Sequence, residues 1–328
     1  MANSVVDIIM VTYNHEKYIA QAIGSVLMQK TTFPYHLIIG EDCSTDKTPA
    51  ICHEYEFNQP DKITIIEHKI NQGLLRNYKS VLDRCTAKYL AILEGDDYWN
   101  DENKLQKQYD YLESNHDVGL VHTNCDLVFE SGKIQLGSHK RYKNCIKNGL
   151  VFDQLLTSNY IRTATVMMRK DLYDKYISIE EYIQKGFKTF DYPAWLDIAL
   201  YKEFHYLDYS SATYRIHKYS LSHSNEYPRN KAFMESTAAI KKYAIEKNNC
   251  DSQINESLKN KYLADQITFE MSFRNYNEVS ILRKNLKTTN IKTFILNLLT
   301  INKHLINAYY FINKKRQEMI KNDWFLIA

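Results

Sequence analysis

The chain is poor in the residues that break or staple a fold. It has five prolines and nine glycines in 328 residues, and none of either after Pro228. That excludes a collagen-like or Pro/Gly-rich low-complexity protein and leaves the C-terminal region free of helix breakers. The six cysteines (43, 52, 85, 125, 145 and 250) are scattered, with no CxxC pair. A disulfide scaffold and a zinc site are therefore disfavoured, and free thiols in a reducing cytoplasm are expected. No uncharged apolar run reaches the roughly 18 residues a membrane span needs. The first residues, MANSVVDIIMVTYN, lack the basic leader and long apolar core of a signal peptide. An excess of one charge is missing too: 42 Lys and Arg against 39 Asp and Glu give +3, too little to imply nucleic-acid binding. The expectation is a cytoplasmic protein, free or resting against the inner face of the cell membrane.

What is present is alternation. Apolar runs of strand length at Val5–Val11, His36–Gly40, Ile63–Glu67 and Tyr89–Leu93 alternate with helical spacing at Glu16–Gln29, Thr48–Phe57 and Leu74–Arg84. Short connections between them predict a doubly wound, mostly parallel α/β sheet. Beyond residue 97 the pattern loosens. Lys104–Asn115 reads as a helix, Gly119–Phe129 and Lys133–Gly137 as a hairpin, and Thr163–Arg169 as a strand. A helix from Pro193 continuing through Ile198–Glu203 and a last short strand at Thr213–His217 complete this part. From about Pro228 the spacing is helical at Arg229–Lys247, Asn255–Phe273, Glu278–Leu286 and Ile291–Met319. The expected organisation is a catalytic domain over 1–227, with halves 1–100 and 101–227, and a helical region over 228–328.

The most informative stretch is Lys88–Asp97, KYLAILEGDD. An all-apolar strand stops at Glu94-Gly95-Asp96-Asp97, at the carboxyl edge where open α/β sheets bind ligands. Asp96 and Asp97 diverge, so one can hold a divalent cation and the other a substrate hydroxyl. Hard oxygen ligands favour Mg²⁺ or Mn²⁺. In GEDCSTDKT, Ser44 to Asp46 suit a helix N-cap. Two acids precede that cap, and a carboxylate there can accept the imide N–H of a uracil or thymine. In NQGLLRN, Gly73 permits a tight turn and Arg76 falls in the first turn of a helix, able to reach a base or a phosphate.

TYNHEKYI, EDCSTDKT, NQGLLRN and EGDD, each after a strand and in this order over residues 5–100, together resemble the family 2 glycosyltransferases of the GT-A fold. The resemblance implies a nucleotide-sugar donor and a DxD-type metal site for Mn²⁺ or Mg²⁺. It implies that Val11 and Thr12 cover the base and ribose, Asp42 recognises the base and Arg76 lies beside the nucleotide. Asp96 would touch the ribose or donor sugar, and Asp97 would bind the metal. KTFDYPAWLDIAL resembles the segment that supplies the catalytic base of inverting members, which implies Asp191, with Asp197 as competitor. Placement at a helix N-terminus would lower the pKa of Asp191, and burial beside Tyr192 and Trp195 would raise it. Trp195 is a candidate platform for an acceptor sugar, or a core residue. TYRIH resembles the YRxH element, which implies Arg215 at the diphosphate and His217 at the metal or diphosphate. HKYSLSHSN after it is read as a flap over bound donor. Glu41-Asp42-Cys43-Ser44 departs from the family's common Asp-Asp-Gly-Ser but keeps the second acid.

The implied activity is an inverting, metal-dependent transfer from a UDP-sugar to a surface glycan or lipid-linked acceptor. The competing enzyme, a sugar-1-phosphate nucleotidyltransferase, needs a glycine-rich loop after the first strand, and VTYNHEKYI has no glycine. A catalytically inactive glycan-binding scaffold is the other alternative. The segment Ile291–Lys315, apolar with interspersed lysines, can pack on its own chain, form a homodimer or lie in a membrane interface. Packing or dimerisation is the favoured expectation.

Overall fold

The structure is a computed structural model that describes residues 4–138, 146–217, 226–248 and 252–321. Backbone contacts divide the chain into two units, 1–130 with 134–216, and 131–133 with 217–328.

The first unit is built on one nine-stranded sheet. Its first half is β1 (Val6–Thr12), α1 (Ile19–Leu27), β2 (Tyr35–Glu41), α2 (Thr48–Asn58), β3 (Ile63–Glu67), α3 (Leu74–Leu82) and β4 (Tyr89–Ile92). These strands run parallel in the order β3-β2-β1-β4. The order reverses between β1 and β4, which makes the carboxyl ends of those two strands the topological switch point. All seven residues of β1 are buried, including Asp7. Its carboxylate is satisfied by the N–H groups of Thr86 and Ala87 at 2.7 and 2.8 Å, which ties the loop entering β4 to β1. Gly40 has a packing reason: a Cβ there would meet the Asn77 side-chain oxygen at 2.1 Å, so only glycine lets α3 lie this close to β2.

The second half comprises β5 (Tyr98–Trp99), α4 (Lys104–Ser114), β6 (Val118–Phe129), β7 (Ile134–Gln135), α5 (Phe152–Thr157), β8 (Met167–Arg169), α6 (Lys170–Tyr176), α7 (Ile179–Gln184), α8 (Asp191–Ala199) and β9 (Glu203–Ile216). The sheet continues from β4 through β8, β6 and β9 to β5, with β8 antiparallel to both neighbours and β6 parallel to β9. Three sequence expectations need correction here. The strand expected over Thr163–Arg169 begins only at Met167, because Thr163–Thr165 forms a 3-10 turn in which the Thr165 hydroxyl donates to the Arg162 carbonyl. The helix expected to start at Pro193 and run past Ile198 to Glu203 instead spans Asp191–Ala199. The short strand expected at Thr213 is the end of a 14-residue strand paired with β6. Polar residues hid that strand: Ser211 is buried, and its hydroxyl bonds that of Thr123 at 2.7 Å across the ladder.

The second unit is helical: α9 (Tyr227–Lys247), α10 (Ser252–Ser272), α11 (Tyr276–Arg283), α12 (Ile291–Leu299) and α13 (Lys303–Lys321). Helix α10 packs against the other four, and Ile267, Met271, Val279, Leu286, Leu296 and Ile306 form the core. The helix expected over Ile291–Met319 is two helices. The Thr300 hydroxyl bonds back to the Leu296 carbonyl, and the Asn302 side chain accepts the N–H groups of His304 and Leu305 to start α13. Among the described residues no helix is long and apolar enough to cross a membrane. The expected flap falls almost wholly on 218–225, outside the described residues.

Candidate active site

At the switch point the chain leaves β4 into an acidic turn that stays hydrogen-bonded to β1. The N–H of Leu93 donates to the Ile9 carbonyl and that of Gly95 to the Val11 carbonyl, at 2.9 and 3.0 Å. A Cβ on Gly95 would lie 2.7 Å from the Thr12 hydroxyl, so glycine allows the turn to pass under the end of β1. Beyond the turn, Tyr98 and Trp99 pair with Thr213 and Ala212 of β9. The buried Trp99 indole donates to the Ala164 carbonyl at 2.8 Å. The turn is therefore held at both ends.

One oxygen from each of Glu94, Asp96 and Asp97 lies within 4.8 Å of the others. Burial raises the pKa of Glu94 to about 8, and the neighbouring Asp96 and Asp191 charges add to the rise. Asp97 is also held well above the ordinary carboxylate range, by burial first and then by Asp96 and Glu94. The Arg215 N–H donates to Asp97 Oδ1 at 2.8 Å and opposes that rise. Three carboxylates this close, two of them raised by burial, repel one another unless they hold protons or share a cation. The donor set, all hard oxygen, fits Mg²⁺ or Mn²⁺. Sequence reasoning placed Glu94 in the key stretch without giving it a role; its position as the first acid after the strand was the available signal.

Arg215, near the end of β9, is fixed beside this turn. Its Nε donates to the Asp96 carbonyl and an Nη to Gln21, both at 2.8 Å, and its guanidinium lies over the rings of Tyr18 and Tyr98. His217 follows β9, is buried and belongs to the second unit.

Asp42, at the end of β2, is buried. Its two carboxylate oxygens accept the N–H groups of Gln72 and Gly73 at 2.7 and 2.9 Å, and its own N–H donates to the Thr12 carbonyl at 3.1 Å. Gly73 has φ +81°, a conformation glycine adopts without strain. Asp42 thus joins the ends of β1 and β2 to the loop before α3, next to Val11 and Thr12, which are themselves buried. Glu41 accepts the N–H groups of Cys43 and Ser44 and braces their turn. The N-cap expected of Ser44 to Asp46 needs correction, because α2 begins after Lys47 and only Asp46 accepts its first N–H, that of Thr48. Ser44 and Asp46 accept the N–H groups of Asn14 and Glu16 from the β1–α1 loop. Arg76 is exposed and lines an open groove of about 390 Å³ between α3 and α7 with Lys79, Asp83 and Glu180.

Asp191 is the first residue of α8. Burial outweighs its helix N-terminal position, and its pKa is raised. Asn159 and Thr189 donate to its two oxygens. Its charge acts on Glu94, so the two carboxylates share one electrostatic neighbourhood. Trp195 is wholly buried in α8 and presents no ring face to an acceptor, which corrects the platform expectation to a core role. Asp197 is also buried and accepts the Tyr182 hydroxyl at 2.6 Å.

The chain is similar to known proteins. The family model for glycosyl transferase family 2 matches residues 7–176. An uncharacterized protein of Mycobacterium tuberculosis is 32% identical over 219 residues, 66% of this chain and 60% of that protein. The chain thus spans less than two thirds of the length of the curated relatives it matches first. A putative teichuronic acid biosynthesis glycosyltransferase, TuaG of Bacillus subtilis, is 27% identical over 168 residues, 51% of this chain and 62% of the relative. S. aureus TarS 1-349, solved in complex with UDP-GlcNAc, is similar in fold: TM-score 0.55 at 17% identity, covering 98% of this chain and 93% of that one.

Proposed function

Because this chain belongs to glycosyl transferase family 2, we propose that it moves a sugar, with inversion, from a nucleotide-sugar to a saccharide or lipid-linked saccharide of the cell surface. The observation that carries the reading is the closely grouped Glu94, Asp96 and Asp97 at the β1/β4 switch point, within the electrostatic reach of Asp191. The catalytic work is assigned to residues 1–227. A UDP-sugar is the favoured donor, in keeping with the UDP-GlcNAc complex of TarS.

Asp42 recognises the base. Each of its oxygens already takes one backbone N–H and keeps a second lone pair for an imide N–H. Val11 and Thr12 bound the base and ribose, Asp96 holds a donor hydroxyl, and Arg215 is pre-set to meet the diphosphate. Arg76 serves the nucleotide from the first turn of α3. Asp97, with Glu94, would hold Mn²⁺ or Mg²⁺. When bound, the cation neutralises the charge that builds on the departing diphosphate.

Asp191 accepts the proton of the acceptor hydroxyl as that oxygen bonds to the anomeric carbon. The bond from that carbon to the diphosphate breaks on the opposite face, and the electron pair leaves with the nucleoside diphosphate. A carboxylate whose pKa is raised by burial is a stronger base than an exposed one, and this suits the role.

A thermal-shift screen of nucleotide-sugars with and without Mn²⁺ tests the reading. A UDP-sugar is expected to raise the melting temperature only with metal, and Asp97→Asn to abolish the effect. Stabilisation indifferent to metal removes Asp97 as ligand, and no response to any nucleotide-sugar removes the donor assignment.

A further inference from the structure

We infer that the outward face of α12, with the basic residues around it, is a docking surface for an anionic lipid bilayer. The inference stands on the second unit alone and does not need the transferase reading. Helix α12 packs inward through Thr293, Leu296 and Thr300, all buried. On its opposite side Ile291, Phe294, Ile295 and Leu298 are 77, 53, 49 and 45% exposed. Their i, i+3, i+4, i+7 spacing makes one apolar stripe. A capping box formed by Asn290 and Thr293 holds the first turn, so the exposed stripe belongs to a well-terminated helix. Ile301 and Leu305 continue the exposed apolar surface into α13.

Charge decides which partner fits. From Val279 to Gln317 the sequence has no Asp or Glu, while eight lysines and arginines fall between Arg283 and Arg316. In a chain with 42 basic and 39 acidic residues this is a strong local asymmetry. Lys292 is exposed on the same helix, next to Ile291, and its charge acts on Asp265 of α10. Lys284 is exposed at the end of α11, and Lys287 pairs with Glu256 of α10. A second copy of the same face would set two basic surfaces against each other, which costs association energy. Anionic headgroups supply the opposite charge, and the acyl boundary below them accepts the apolar stripe. A helix of nine residues is too short to span, so it would lie in the plane of the interface.

The test is flotation of the full chain with phosphatidylcholine vesicles and with vesicles that also contain phosphatidylglycerol. Light scattering without lipid is run alongside. The chain is expected to float with the anionic vesicles about tenfold better than with the neutral ones, and to lose that preference in high salt. Phe294→Glu, and separately Lys284→Glu with Lys292→Glu, are each expected to reduce flotation by about tenfold. Their melting temperatures should be unchanged, because these side chains are exposed; if one variant unfolds, the other still decides. Wild-type protein that stays at the bottom with anionic vesicles overturns the inference. So does flotation unaffected by either variant. A dimer in light scattering that Phe294→Glu converts to monomer, with no flotation, gives the face to a second copy and overturns it as well.

Discussion

The Tyr78 hydroxyl donates to Glu94 Oε1 at 2.8 Å, and the Tyr78 ring stacks on Phe190 with centroids 4.7 Å apart. Phe190 is the residue before Asp191. One buried tyrosine on α3 therefore touches both the acidic turn after β4 and the chain that starts α8. The hydrogen bond lowers the pKa of Glu94 against the larger effect of its burial. Tyr78 thus ties the position of Glu94 to the start of α8, where Asp191 stands.

Tyr78→Phe keeps the stack and removes the donor. Oε1 of Glu94 then loses a hydrogen bond, at an expected stability cost of about 1–3 kcal/mol. Affinity for Mn²⁺ should fall by about tenfold or more, as for other changes behind a ligand shell. Calorimetric titration of Mn²⁺ beside a denaturant melt checks both. Unchanged metal affinity would mean that Glu94 is outside the ligand shell.

Asp191→Asn separates chemistry from binding. The amide cannot take a proton from the acceptor hydroxyl, so transfer should fall by about a hundredfold to ten-thousandfold. The stabilisation by UDP-sugar with Mn²⁺ should survive, since Asp42, Asp96 and Asp97 are untouched. Transfer measured with a glycan acceptor panel, beside the melting shift, distinguishes the two. Activity near wild type would move the base role away from Asp191.

Much of the first hundred residues is legible because the inner strands β1 and β4 are buried on both faces and read as apolar runs, as with Tyr89–Leu93. The edge strand β3 is less covered, but Ile63, Ile65 and Ile66 still mark it. The glycine of EGDD and the aspartate of GED stand where the chain must turn at the sheet edge, so the acidic turn could be read in order. Strand β9 could not be read this way. Its buried Ser211 pairs with the Thr123 hydroxyl of β6 and its buried Thr213 accepts from the Asn100 side chain, and polar residues in a strand interior look like a loop until the ladder is known. Trp195 shows a second limit, because aromatic chemistry is the same for a sugar platform and a core residue. Only its burial separates the two. Tyr78 and Glu94 escaped assignment for a third reason: their bond joins a helix to a turn 16 residues away, a relation periodicity does not encode.

Lys104 gives a prediction about stability against pH. It is fully buried at the start of α4, with its ammonium 2.6 Å from Gln108 Oε1 and over the Trp99 ring. Burial lowers its pKa from 10.5 to about 7. Between those values the unfolded chain binds more protons at this residue than the folded one, so its contribution to stability rises with pH. The contribution is complete above the unfolded value and is lost as pH falls through about 7. Other groups titrate in the same range, including Glu94, so the quantity to measure is a difference. Lys104→Met keeps most of the volume and removes the titration. Its stability advantage over the wild type should be largest near pH 7 and shrink by about 1 kcal/mol per pH unit toward pH 9. Urea melts of both proteins at several pH values give the difference. A gap that is flat with pH would mean that Lys104 keeps its proton in the folded state, held by Trp99 and Gln108.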